Sequence, residues 1–435
     1  MTAHYRRISF LLALLFCFPT ISSSQDHPSI HEEQLEEHDT WEMIVEPVNV
    51  TTGLENLILN FPEKINGKVV GIVTNHTGLD SRGRPNWVAI KEKTSAEVDV
   101  IFTPEHGLSG EFLAGEDVAY HSEENIHLPK VFSLYGAAKK PTAEMLTGLD
   151  ILIYDIQDVG ARFYTYITTL GLIMEASAES DVPVLILDRP NPITGAKVSG
   201  PTLDIANQSF IGYYPIPVQY GLTPGELALM IAGEEWINEI PELDVIPMIN
   251  WSRDLWYDET TLAWVPTSPN IPDVACATVY PGTCFLEATN VSEGRGTLLP
   301  FLQAGAPWID DKLLSRKLNQ LNLDGVVFSP VSFTPKHPEN SGHKKYHEEK
   351  CYGVKIVVTD RRIFDPVVSG IHLLNQINEL YPDKLIIKVG SLNRLSGTDE
   401  LSKMIKGDIT LQEILENIVS DRSLFMEMRK PYLLY

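Results

Sequence analysis

The sequence predicts an α/β protein, a Rossmann-like doubly wound parallel sheet accompanied by a second, smaller α/β domain. Four apolar runs rich in β-branched residues, Val69–Thr74, Val98–Thr103, Ile151–Tyr154 and Val184–Leu187, each end in a polar cluster. Segments of helical length, Trp87–Lys93, Ala143–Leu149 and Ile167–Glu179, lie between them. Runs apolar throughout imply strands buried on both faces, and their alternation with helices implies βαβ units. At 435 residues the chain also exceeds the size at which single cores divide, about 250–300 residues, so two domains are expected.

In chain order, residues 1–24 read as a signal peptide. Arg6 and Arg7 form a basic start, Ile8 to Phe18 an apolar run, and Ser22-Ser23-Ser24 a small-residue cleavage region. The run is shorter than the ~20 residues that span a bilayer, and bulky Phe16 before Cys17 disfavours lipid attachment. A secreted product is expected, extracellular or, in a bacterium, periplasmic. Residues 25–47, with Glu32-Glu33 and Glu36-Glu37, read as an acidic flexible leader. Residues 48–245 form the Rossmann-like catalytic domain and include the helix signal Thr223-Pro224-Gly225-Glu226-Leu227. The pattern changes near Leu243–Asn250, and residues 246–435 are assigned to the second domain. Its strands are expected at Val326–Phe333 and Val354–Thr359, its helices near Lys312–Leu321, Gly370–Leu380 and Leu411–Val419.

The formal charge of −24 argues against nucleic acid, which requires a Lys/Arg surface. Beyond the N-terminus no apolar stretch is long enough to cross a membrane. The turn after Thr74 reads Asn75-His76-Thr77-Gly78-Leu79-Asp80, without the G-x-G-x-x-G that lets backbone approach a pyrophosphate, so no dinucleotide or other organic cofactor is expected. Nor is a metal, because Cys276, Cys284 and Cys351 lie at no ligand spacing. In an oxidising compartment those three thiols permit one disulfide and leave one over. Sequons begin at Asn49, Asn75, Asn207, Asn250 and Asn290, which suits a glycoprotein in a eukaryotic source.

Ligands of open α/β sheets bind outside the carboxyl ends of the strands, so residues just after each run take priority. Glu105 follows its strand directly, held by Pro104 and released by Gly107, with His106 placed to shift its pKa or orient a hydroxyl. A plainer role for Glu105 is to cap the next helix. The stretch from Asp155 to Tyr166 concentrates Asp155, Asp158, Arg162, Tyr164 and Tyr166. The guanidinium is suited to pair with either carboxylate and the phenols to meet a sugar face, although Asp158 is equally suited to capping. Asp188, Arg189 and Asn191 stand in a proline-fixed loop after the fourth run, and Glu287, Asn290, Glu293 and Arg295 in a glycine-punctuated stretch of the second domain. Glycoside hydrolysis commonly employs two carboxyls. Glu105 is the expected proton donor, and Asp155, Asp158 or Glu287 its partner, unless a 2-acetamido substrate supplies its own nucleophile.

Taken in order, Thr74-Asn75-His76-Thr77-Gly78, Thr103-Pro104-Glu105-His106-Gly107, the Asp155–Tyr166 stretch, Asp188-Arg189-Pro190-Asn191-Pro192, Tyr280-Pro281-Gly282-Thr283 and Glu287 to Thr297 resemble the NamZ family of exo-β-N-acetylmuramidases. The resemblance runs from about Ile65 to the C-terminal Tyr435. It implies a cleft between two domains that releases terminal N-acetylmuramic acid from peptidoglycan fragments without metal or cofactor, with Glu105 at the family's glutamate. One departure stands at Gln219-Tyr220, where relatives often carry a basic residue or histidine before the glycine. Altered specificity, or a weakly catalytic glycan-binding protein on the same scaffold, is the alternative that this departure raises.

Overall fold

The structure, a computed structural model, describes residues 46–110, 129–136, 138–339, 341–342 and 344–435. The expected signal peptide and almost all of the acidic leader lie outside the described residues.

After helix α1 (Gly53–Asn60) the chain forms β1 (Val69–Thr74), α2 (Asn86–Lys93), β2 (Glu97–Thr103), β3 (Lys130–Ser133), α3 (Ala143–Leu146), β4 (Ile151–Asp155), α4 (Tyr166–Glu179), β5 (Val184–Leu187), α5 (Pro224–Gly233) and β6 (Leu243–Ile246). The six strands make one parallel sheet in the order β3-β2-β1-β4-β5-β6, so the winding reverses between β1 and β4. Both sheet faces are covered, as runs apolar at every position require. Val70, Ile72, Ile101, Ile153 and Leu185 pack with Leu54, Leu57, Trp87 and Ile90 of α1 and α2 on one face. Val73, Phe102, Leu152, Tyr154 and Ile186 pack on the other with Ile167, Leu170, Leu227 and Ile231 of α4 and α5.

The chain continues through α6 (Val274–Thr283), β7 (Gln303–Ala306), α7 (Asp311–Asn319), β8 (Val326–Phe333), β9 (Cys351–Val358), α8 (Pro366–Leu380), α9 (Val389–Ser396), α10 (Glu400–Lys406) and α11 (Leu411–Met428). β7, β9 and β8 form a small antiparallel sheet in that order. Helices α6 and α8 cross at Gly282 and Gly370; a Cβ on Gly282 would stand 1.8 Å from the Pro366 carbonyl oxygen, so only glycine permits the approach.

Three local features are not read from the sequence. Leu243–Ile246, where the pattern changes, is the edge strand of the parallel sheet. Helix α6 carries Pro281 inside it, a breaker that hides the helix from a periodicity reading. The permitted disulfide is absent among the described residues: Cys276, Cys284 and Cys351 are buried free thiols.

Candidate active site

β2 ends at Thr103, and Glu105 follows at the carboxyl edge of the sheet. His106 then takes φ +70° and Gly107 φ +68°, a left-handed pair that turns the chain sharply behind the carboxyl. A non-glycine residue in that region costs about 1–3 kcal/mol and concentrates at functional sites. Thr165, at the N-terminus of α4, does not cap its own helix with its side chain; its hydroxyl donates to Glu105 Oε2 at 2.8 Å. Tyr135, just past β3, also bonds to Glu105. Its phenol is raised above the ordinary range, first by burial and then by the glutamate's charge.

Glu105 and His106 open onto a cleft of about 130 Å³ that is also lined by Tyr164, Thr165, Ser268, Tyr280, Glu287, Arg295 and Phe301. One wall is aromatic. Tyr164 meets Tyr166 edge-on at 4.8 Å between centroids, and Tyr280 meets Phe163 at 5.2 Å and Phe301 at 4.8 Å. A charged cluster adjoins it: Arg295, over the Phe301 ring, pairs with Glu287 at 2.8 Å and approaches Glu293 at 3.7 Å, while Lys345 holds Glu293 at 2.8 Å. Burial opposes ionisation of Glu293, but Lys345 and Arg295 prevail and hold its carboxyl below the usual value.

His76 stands behind this cleft. Its Nε2 donates to the Pro266 carbonyl at 2.7 Å, and burial, reinforced by nearby His106, lowers its pKa. The Tyr166 hydroxyl donates to the Thr267 carbonyl at 2.8 Å, bracing the segment that carries Ser268. Of the residues singled out in the sequence, Glu105, His106, Tyr164, Glu287 and Arg295 therefore share the cleft, with His76, Tyr166 and Glu293 supporting it.

The others are engaged elsewhere. Asp155 is fully buried and accepts from Arg189 Nε at 2.5 Å and Nη2 at 3.1 Å, and from Asn86 at 2.8 Å. Asp158 accepts from the Gly160 N–H at 2.7 Å and from the Tyr220 hydroxyl, and burial pushes it up to about 6. Arg162 pairs with neither aspartate: its guanidinium donates to the carbonyls of Pro201, Ile216 and Leu395. Asp188 accepts from Thr223 at 2.7 Å, Gly225 at 2.8 Å and Tyr435 at 2.8 Å, and burial, then the Glu226 charge, raises it to about 7. Asn75 closes its own turn on Thr77, Asn191 ties to Leu222 and Ile193, and Asn290 ties to Lys384 and Ile386. Gln219 and Tyr220 are buried and do not line the cleft, so the departure lies in the scaffold.

Sequence reading missed Thr165, Tyr135, Tyr280 and Lys345. Tyr280 lies within one of the motifs, but nothing local marks a tyrosine as lining the cleft or a distant lysine as holding Glu293. Roomier hollows of about 540 and 320 Å³ occur elsewhere, but neither includes Glu105 or Glu287. Among the described residues no cluster of His, Cys, Asp and Glu is arranged to hold a metal ion.

A doubly wound sheet without a phosphate turn, bearing a carboxyl- and tyrosine-lined cleft, suits an α/β glycoside hydrolase. The chain belongs to the NamZ family; residues 70–275 match the model described as "Exo-beta-N-acetylmuramidase NamZ, N-terminal" and residues 278–435 the corresponding C-terminal one. It is 37% identical to the peptidoglycan beta-N-acetylmuramidase NamZ of Bacillus subtilis (strain 168), over 98% of this chain and 99% of that protein. A DUF1343 family protein from Bacteroides fragilis NCTC 9343 superposes with a TM-score of 0.82 at 33% identity, covering 89% of this chain and 99% of that one. A second from the same organism superposes with a TM-score of 0.70 at 34% identity and the same coverage, 89% and 99%.

Proposed function

We propose that this chain is an exo-acting β-N-acetylmuramidase that releases terminal N-acetylmuramic acid from the non-reducing end of peptidoglycan fragments. The observation that carries this reading is that Glu105, bonded by Thr165 and Tyr135, lines the same tyrosine-bearing cleft as Glu287. Family membership and the Bacillus subtilis relative support the substrate. Glu105 is the proton donor: it protonates the glycosidic oxygen as the C1–O bond breaks, and water completes C1. Glu287 is the second carboxyl, because Asp155 and Asp158 are buried in bonds of their own. His106 lines the cleft beside Glu105 with His76 near it, and the tyrosines offer an apolar face and hydroxyls to the sugar.

The leader in residues 1–24 supports export, so the site of action is outside the cytoplasm. The sequons at Asn49 and Asn250 are exposed and fit glycosylation, whereas Asn75 is buried in its turn. The reading is tested by incubating purified protein with the disaccharide N-acetylmuramyl-N-acetylglucosamine and with chains capped by N-acetylglucosamine at the non-reducing end. Free N-acetylmuramic acid is expected from the first and no cleavage of the second. Binding without turnover of either would make the protein a lectin.

A further inference from the structure

Resting on the muramidase reading of the cleft, we propose that Arg295 selects the sugar. Its guanidinium receives the lactyl carboxylate that N-acetylmuramic acid carries and N-acetylglucosamine lacks, in the place that Glu287 now holds.

Among the described residues lining the cleft, Arg295 is the lysine or arginine. A carboxylate entering the cleft is therefore attracted to that point. The guanidinium is also short of acceptors. Its Nη2 reaches Glu287 at 2.8 Å, but Nη1 lies 3.7 Å from Glu293, beyond a hydrogen bond. Nε and Nη1 are buried with no hydrogen-bond partner among the described residues. Arginine carries five N–H donors in a fixed fork that matches a carboxylate, and leaving them unmet is unfavourable.

Lys345 cannot take this role, because its ammonium already serves the Leu286 carbonyl at 2.7 Å, the Val291 carbonyl at 2.8 Å and Glu293 at 2.8 Å. With Glu293 held by Lys345, the charge of Arg295 is balanced mainly by Glu287. The Phe301 ring lies 5.0 Å from the guanidinium carbon and fixes its plane. The lactyl group and Glu287 thus compete for one fork. An acidic sugar frees Glu287 Oε1, which the Cys284 thiol also contacts at 3.4 Å, from the guanidinium; a neutral sugar leaves it paired.

The experiment compares kcat/KM for three para-nitrophenyl glycosides: N-acetylmuramic acid, its lactyl methyl ester, and N-acetylglucosamine. Wild type, Arg295→Met and Arg295→Lys are assayed. In the wild type, esterification is expected to cost roughly 10- to 100-fold, the worth of a charge-assisted hydrogen bond. In Arg295→Met the ratio of acid to ester should fall to about 1. Arg295→Lys should lie between. The ratio of acid to ester within one preparation does not depend on the folded fraction, and the wild-type ester result needs no variant at all. Equal rates for acid and ester in the wild type, or an undiminished ratio in Arg295→Met, overturn the proposal. Failure of the wild type on every glycoside would instead overturn the muramidase reading on which it rests.

Discussion

Replacing Asp155 separates a structural carboxylate from a catalytic one. Asp155 is fully buried and accepts three N–H groups, two of them from Arg189, whose own side chain is 5% exposed. In Asp155→Ala the guanidinium keeps only the Leu79 carbonyl, at 3.0 Å, among its recorded acceptors. Breaking a buried pair by removing one partner costs about 3–5 kcal/mol, a large share of a total stability of about 5–15 kcal/mol. With a urea slope of about 3 kcal/mol/M the unfolding midpoint should fall by roughly 1–1.7 M. Adding Arg189→Met removes the stranded charge and should recover part of that loss. Unfolding is followed by tryptophan fluorescence, and turnover is measured per folded molecule, where kcat should stay near the wild-type value. An unchanged midpoint with kcat reduced about 10²–10⁴-fold would refute the reasoning and restore Asp155 to the chemistry.

Three further outcomes follow from the buried polar groups. Asp188 is raised to about 7 from 3.8, so folding favours its protonated form; that contribution is complete below the unfolded value and lost as pH rises through the folded one. The urea midpoint of the wild type should therefore decline between pH 4 and 7, and Asp188→Asn should flatten the decline; identical profiles would count against it. Tyr435→Phe removes a hydroxyl that donates to Asp188 at 2.8 Å and accepts from the Met248 N–H at 2.7 Å, and should cost about 1–3 kcal/mol in the same assay. Because Cys276, Cys284 and Cys351 are buried free thiols, dithiothreitol should leave the melting temperature unchanged, and a drop would reveal a disulfide.

The parallel sheet was legible because its four inner strands carry runs that are apolar on both faces, a signal that depends on local sequence alone. The edge strand Lys130–Ser133, largely half-buried, and the short Gln303–Ala306 carry too weak a pattern to stand out. Strand-end reasoning led to Glu105, and the same rule led equally to Asp155, Asp158 and Asp188. Position alone cannot tell a carboxyl that opens onto a cleft from one consumed by an arginine, a tyrosine or a helix start, since Arg189, Tyr220 and Thr223 lie 34, 62 and 35 residues away. Thr165 shows the limit most clearly. Its sequence position marks a helix start, yet its hydroxyl points at a carboxyl 60 residues earlier.

The most direct test of Glu105 as proton donor pairs Glu105→Gln with two substrates that differ in leaving group. A sugar alkoxide must be protonated as it departs, whereas para-nitrophenolate leaves without help. On N-acetylmuramyl-N-acetylglucosamine the variant should lose about 10²–10⁴-fold in kcat, and on the para-nitrophenyl glycoside far less. Equal losses on both substrates, or near-normal turnover of the disaccharide, would contradict the assignment.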